Sequence, residues 1–224
     1  MYYITKIMLT LISITLIPLQ YGLSQQQREE YFAHDFSFGV GYAYGFEKDV
    51  FNVPQDAGIN SAPAINLNYL YFLNPNVGIG ARAFGFVKTL PEYTVISPTG
   101  KQEKIKYELL DYNFDAEFRY AFHRGVVEPY GFLLLGLASG TVTHEEEKLS
   151  FTGFNAGAGA GLRIPFAKRW RISIELYGTV GSAKWEMKPF LNSTGDDFNP
   201  SMAGVLLNFS YLWGYVKSYE IRKK

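Results

Sequence analysis

The chain has no cysteine, no net charge and, after its first segment, no long apolar run. Without cysteine there is no disulfide framework and no stray thiol, which suits a chain bound for an oxidising compartment. Lys and Arg number 21 and so do Asp and Glu, so the formal charge is zero and there is no electrostatic case for nucleic acid. The longest later apolar run, Tyr130 to Ala138 (YGFLLLGLA), is too short to cross a bilayer as a helix and holds two glycines. GAGAG, Gly157 to Gly161, lies in a strand-like stretch and precedes no helix, so it is not a dinucleotide fingerprint. There is also no convincing helix and no linker. A length of 224 residues is compatible with one all-β barrel or two small domains, and the chain shows no second domain.

At the N-terminus, Lys6 precedes the apolar run Ile7 to Ile17, Pro18 breaks it, and Gly22 and Ser24 have the small-residue spacing of a cleavage site. The run is shorter than the roughly 20 residues of a spanning helix, so residues 1–24 are expected to be a cleaved signal peptide. Residues 25–34 then form a short N-terminal segment, 35–217 the body of the fold and 218–224 a tail.

The body is a series of alternating stretches. Phe36, Phe38, Val40, Tyr42, Tyr44 and Phe46 oppose Ser37, Gly39, Gly41, Ala43 and Gly45. Leu110, Tyr112, Phe114, Ala116, Phe118, Tyr120 and Phe122 oppose Asp111, Asn113, Asp115, Glu117, Arg119 and Ala121. Ala156 to Ile164 set alanines, leucine and isoleucine against Asn155, three glycines and Arg163. The same period of two runs through Ile65–Leu73, Val77–Lys88, Trp170–Gly178 and Ala203–Tyr215, which makes about eight strands. Glu128 to Val142 is strand-like but apolar on both sides, so its phase stays open.

The connections alternate in length. Residues 47–61, 89–104 and 186–201 are long and 143–150 is of medium length. Asn74 to Asn76, His123 to Val126 and Ala167 to Arg169 are short. A meander with tight turns at one end and loose ones at the other produces this order, as transmembrane barrels do.

A soluble lipocalin-type barrel would turn its greasy face inward around a ligand. Three features oppose that here. The apolar faces carry more rings than an eight-stranded interior holds, and exposed to water they would form a patch far larger than soluble proteins tolerate. The opposite face carries glycines together with Arg82, Asp111, Asp115, Glu117, Arg119, Arg163 and Glu175, which suits a cramped polar lumen. Tyr71, Tyr120, Phe122, Trp170, Trp213 and Tyr215 fall at the tight-turn end of the apolar face, and Tyr42 and Tyr44 toward the other. These are the two aromatic girdles of a membrane barrel. The fold expected is therefore all-β: an eight-stranded antiparallel up-and-down transmembrane β-barrel with its termini in the periplasm.

Pieces such as EPYGFLLLGLA (Glu128 to Ala138) and FNAGAGAGLRIPF (Phe154 to Phe166), with the turn lengths, resemble the small bacterial outer-membrane barrels of the OmpA- and OmpX-like superfamily and the related outer membrane protein beta-barrel domain group. The resemblance covers about residues 33–217. It implies the bacterial outer membrane as the location. It also implies outer-membrane lipid and lipopolysaccharide as surroundings, and an assembly machinery that reads a terminal aromatic, here Phe209, Tyr211, Trp213 or Tyr215, ahead of the tail VKSYEIRKK. No peptidoglycan-binding domain follows, so wall anchoring is not implied.

For chemistry, the lumenal charges read first as a structural network in which three arginines meet four carboxylates. The alternative is a gate in a narrow porin-like channel. Some barrels of this class cut or transfer lipid acyl chains with His, Ser and a carboxylate. His34 precedes the first strand, His123 sits in a turn and His144 opens a loop, none beside an outward Ser, so no enzyme is expected. No metal or cofactor is expected either, and the acidic stretches His144–Glu147 and Asp196–Asp197 read as solvated loops. The function expected is a structural or interaction role, with a surface partner met by the long loops. The alternatives are the channel and an accessory barrel of a secretion machine.

Overall fold

A computed structural model describes residues 31–45, 61–89, 93–96, 102–105, 108–123, 125–144, 147–185 and 197–216. The expected signal peptide, Phe46 and the tail lie outside the described residues. Eight long strands carry the fold: β1 (Tyr31–Gly45), β2 (Ser61–Phe72), β3 (Val77–Thr89), β6 (Glu108–Ala121), β7 (Glu128–His144), β8 (Glu147–Pro165), β9 (Trp170–Trp185) and β11 (Met202–Val216). Each pairs antiparallel with its neighbours, and β11 pairs with both β1 and β9, so the sheet closes on itself. Closure satisfies every ladder donor and acceptor, which hydrocarbon requires.

Three short elements accompany the eight long strands. β4 (Tyr93–Ile96) and β5 (Gln102–Ile105) form a hairpin within the connection expected to be a plain long loop. β10 (Asp197–Phe198) pairs with the end of β9. Of the medium loop expected at 143–150, residues 143–144 and 147–150 are strand instead. β7 and β8 stay paired out to His144 opposite Glu147, because Thr141, Thr143 and Ser150 continue the alternation in polar form. β1 also begins earlier than the alternation suggests, at Tyr31, which pairs with Val216 at the tight-turn end.

Tracing the ladder gives the shear. From Phe38 the register runs through Leu67, Ala83, Phe114, Leu137 and Phe154 to Ser182 on β9. In the other direction it runs through Phe209 to Ile172 on the same strand, ten residues away. Eight strands with that displacement tilt by about 41° to the barrel axis.

Facing follows the expected parity in every strand that had a phase. Phe38, Ile65, Phe114, Phe154 and Leu176 point outward, while Ser37, Asn66, Asp115, Asn155 and Glu175 are buried in the lumen. β7 acquires its phase here. Leu133, Leu135 and Leu137 face out, and Glu128, Tyr130, Phe132 and Leu134 face in. On β9 the outward side is apolar from Trp170 to Val180, then turns to Ser182 and Lys184. At the tilt above, that stretch rises about 25 Å, the height of an outer-membrane apolar band. At the tight-turn end, Asn74 Oδ1 accepts from the Asn76 and Val77 amides at 2.9 Å, and Asn76 Nδ2 donates to Ala121 O at 2.7 Å, which ties the β2–β3 turn to the end of β6.

Leu133 lies near the middle of this band and Thr141 above it. We expect Leu133→Arg to destabilise the folded barrel by about 2–4 kcal/mol and Thr141→Arg by about 1 kcal/mol or less. Equilibrium urea unfolding in lipid vesicles measures both, and equal costs would contradict the position of the band.

Candidate functional site: the filled lumen

The lumen is organised in tiers. In the centre, Arg82 Nε donates to Glu117 Oε2 at 2.8 Å and Arg82 Nη2 to Glu175 Oε2 at 2.9 Å. Arg119 Nε donates to Glu117 Oε1 at 2.7 Å and Arg119 Nη2 to Glu175 Oε1 at 3.0 Å. Each carboxylate thus bridges both guanidiniums, and each guanidinium both carboxylates. Tyr130 Oη donates to Glu175 at 2.7 Å, and Asn68 donates to Glu117. Arg119 lies 4.4 Å above the Tyr130 ring and Arg82 4.5 Å above Phe132. Side-chain exposures in the quartet are 0–2%, so water does not share these charges.

Toward the periplasmic end, Arg163 forms a second cluster. Its Nη1 donates to Asp35 at 2.7 Å and its Nε to Glu128 at 2.8 Å, with the Phe72 ring 5.6 Å away. The seven charges expected as one network are therefore divided. Arg82, Glu117, Arg119 and Glu175 come together, while Arg163 belongs to a separate group. Asp111 and Asp115 lie above the quartet, opposite Phe86 and Arg82 in the β3–β6 register. Asp35 and Glu128 had not been expected. Asp35 shares parity with the lumenal Ser37 and Gly39, so that signal was present, whereas Glu128 lay on the strand without a phase.

Toward the outer end the lumen holds an apolar cluster beside the buried Asp111 and Lys88. Phe84, Phe86, Leu109, Phe151, Tyr177 and Met202 pack there, and Phe84 meets Tyr177 edge-on at 5.1 Å. Phe72, Phe84, Phe86, Tyr130, Phe132, Phe151 and Tyr177 are inside and buried; parity with Arg82 put Phe84 there, whereas Tyr130 and Phe132 lay on the strand without a phase. The glycines explain how they fit. A Cβ on Gly161 would stand 2.5 Å from Tyr130 Cζ, and one on Gly159 would overlap the Phe132 ring. Glycine on β8 is the space into which the β7 rings lie.

On the outer face, the periplasmic girdle is built from groups of touching rings. Trp170 meets Tyr211 at 4.9 Å, Tyr211 stacks on Trp213 at 6.0 Å, Tyr215 meets Phe32 at 5.7 Å and Tyr120 meets Phe122 at 5.4 Å. His34, expected ahead of the first strand, is inside β1 on this face. It stacks on Trp213 at 5.2 Å, lies 5.3 Å from Tyr71, and its Nδ1 is 2.8 Å from Tyr69 Oη. Gly214, at φ +71°, makes room, because a Cβ there would collide with the imidazole. Its neighbours are rings, not a serine nucleophile. Tyr42 and Tyr44 are exposed toward the other end. His123 is exposed beside its turn. The side chain of His144 and residue Asp196 lie outside the described residues.

The family model that describes the outer membrane protein beta-barrel domain matches residues 15–211. The chain belongs to that family. Its location is accordingly the bacterial outer membrane, and its barrel is an outer-membrane barrel. Among solved structures, Neisserial surface protein A is 11% identical with a TM-score of 0.56, the match covering 83% of this chain and 99% of that one. OprG from Pseudomonas aeruginosa is 12% identical with a TM-score of 0.49, over 82% and 98%. Ail of Yersinia pestis, in complex with the heparin analogue sucrose octasulfate, is 18% identical with a TM-score of 0.46, over 80% and 97%. At these identities the likeness concerns fold. A search of curated proteins finds no match.

Removing one member of the quartet strands the charges it bridges. Arg119→Ala should therefore destabilise the barrel by about 3–5 kcal/mol and lower its unfolding temperature in detergent. An unchanged melting curve would contradict the pairing.

Proposed function

We propose that this protein is a non-conducting outer-membrane barrel with a structural and surface-interaction role. The observation that carries this reading is the filled lumen. Three successive tiers of ion pairs and rings occupy its length, and the quartet leaves its charged groups no water to exchange with. A gate would need Arg82, Arg119 or Arg163 to leave two short bonds each, within a lumen of low dielectric where an unpaired charge costs several kcal/mol.

The outer end favours an interaction role. β6, β7 and β8 continue past the apolar band as a wall faced with Tyr112, Ser139, Thr141 and Thr152, where Ser139 Oγ donates to Tyr112 Oη at 3.1 Å. A rigid wall that projects beyond the membrane is a support on which the connections 47–61, 89–104 and 186–201 can meet a surface partner, since recognition concentrates on loops held by rigid scaffolds. The apolar band would contact phospholipid and, on its outer half, lipopolysaccharide. Residues 1–24 would direct export, and the aromatics of β11 would be read by the assembly machinery. Among the described residues the lumen shows no nucleophile with a base beside it, which favours a non-enzymatic role.

Planar-bilayer recording of the purified protein tests the reading. We expect no stepwise conductance with the native barrel. Regular single-channel steps that Arg82→Ala enlarges would favour the gated channel instead.

A further inference from the structure

The quartet is electrically neutral, with two guanidiniums and two carboxylates. Asp115 adds one more buried carboxylate directly above it and forms no ion pair among the described residues. Arg82 faces Asp115 across the β3–β6 ladder, but its Nε and Nη2 are held by Glu117 and Glu175. Lys88, the next buried cation on β3, is six residues further up, about 20 Å along the strand.

Polar atoms without partners surround this carboxylate. Asp115 Oδ1, Asn113 Oδ1, Thr179 Oγ1 and Asn155 Oδ1 lack a close hydrogen-bond partner, and the Asn155 side-chain amide lies beside the Asp115 carboxylate. All four residues are nearly inaccessible, with Asn113 at 1%, Asn155 at 2%, and Asp115 and Thr179 at 4% exposure. The ladder gathers them on one wall. Asp115 pairs with Gly136, and Gly136 with Asn155. A Cβ on Gly136 would stand 2.5 Å from Asp115 Oδ1, so the carboxylate leans over the bare β7 position toward β8. Thr179 pairs with Gly157, the lumenal position next to Asn155. Asn113, two residues from Asp115 on the same face of β6, donates from its amide nitrogen to the Met202 sulfur at 3.8 Å, and its carbonyl oxygen stays without a partner.

We propose that this wall binds a monovalent cation, Na+ or K+, enclosed as the barrel forms. The available ligands are hard oxygens: one carboxylate, two amide carbonyls and one hydroxyl. Such a set suits alkali or alkaline-earth ions and not thiophilic metals, and a single carboxylate matches a single positive charge. Ordered water would satisfy the acceptors but brings no positive charge, so Asp115 would either stay ionised without a counter-charge or take up a proton, whereas a cation keeps the carboxylate ionised and paired.

The test compares unfolding temperatures of the full barrel in zwitterionic detergent in NaCl, KCl and choline chloride at equal ionic strength. Native protein should melt higher in Na+ or K+ than in choline, with a shift that saturates. Asp115→Asn keeps the shape and removes the excess charge, so it should fold and lose the response. Should that variant fail to fold, crystals of the native protein soaked in Rb+ or Tl+ should show an anomalous peak bounded by Asn113, Asp115, Asn155 and Thr179. Equal melting in all three chlorides, a response that survives Asp115→Asn, or a site holding water only would each overturn the proposal.

Discussion

Two arginines and two glutamates share the centre of a tube whose outer wall faces hydrocarbon, and the rest of the structure is arranged so that they can. An isolated charge there would cost several kcal/mol, and a pair recovers that cost only with near-ideal geometry and its remaining bonds satisfied. The quartet meets the condition by bridging. Every acid holds two guanidiniums, Tyr130 and Asn68 supply further donors, and Tyr130 and Phe132 offer ring faces beneath the cations. The residues come from β2, β3, β6, β7 and β9, so the bonds join opposite walls of the barrel. They tie together strands that are far apart in sequence, which ladder hydrogen bonds between neighbours do not.

Packing around the quartet depends on a division of size between adjacent strands. β8 presents Gly157, Gly159 and Gly161 to the lumen, and β7 presents Tyr130, Phe132 and Leu134 beside them. A lumen with eight strands and a displacement of ten residues is too narrow for large side chains on every wall. Bare positions on one strand are what allow rings on the next, and the rings in turn form the floor for the arginines. The same device recurs at Gly140 under Phe151.

Much of this was legible in the sequence, for a definite reason. Lipid outside and a polar lumen inside impose a strict period of two, and Leu110 to Phe122 shows it without interruption. Parity sorts the lumenal glycines and the buried charges of β3, β6, β8 and β9 onto one face, and the number of rings on the other face, with the girdles, says which face points outward. Parity does not give the tiers. Which arginine meets which acid depends on the height of each residue along the axis, and height comes from the shear, which no single strand reveals. Arg163 was thus grouped with the wrong acids, because Asp35 and Glu128 reach its height from β1 and β7. The strand without a phase failed for a related reason. Tyr130, Phe132 and Leu134 are as apolar as the outward leucines, and only the bareness of β8 shows which set points inward. His34 was placed outside the barrel because the large-residue alternation begins at Phe36, whereas pairing with β11 extends β1 back to Tyr31.

The function we propose is that of a membrane support whose interior holds itself closed and whose outer end is left for contact. Its central claim is that the quartet is paired and dry. Water-edited solid-state NMR of the barrel in bilayers tests this most directly. The Arg82 and Arg119 guanidinium signals should show close contacts to the Glu117 and Glu175 carboxylates and receive no magnetisation from water at short mixing times. Rapid transfer from water to those guanidiniums, without the carboxylate contacts, would contradict the account.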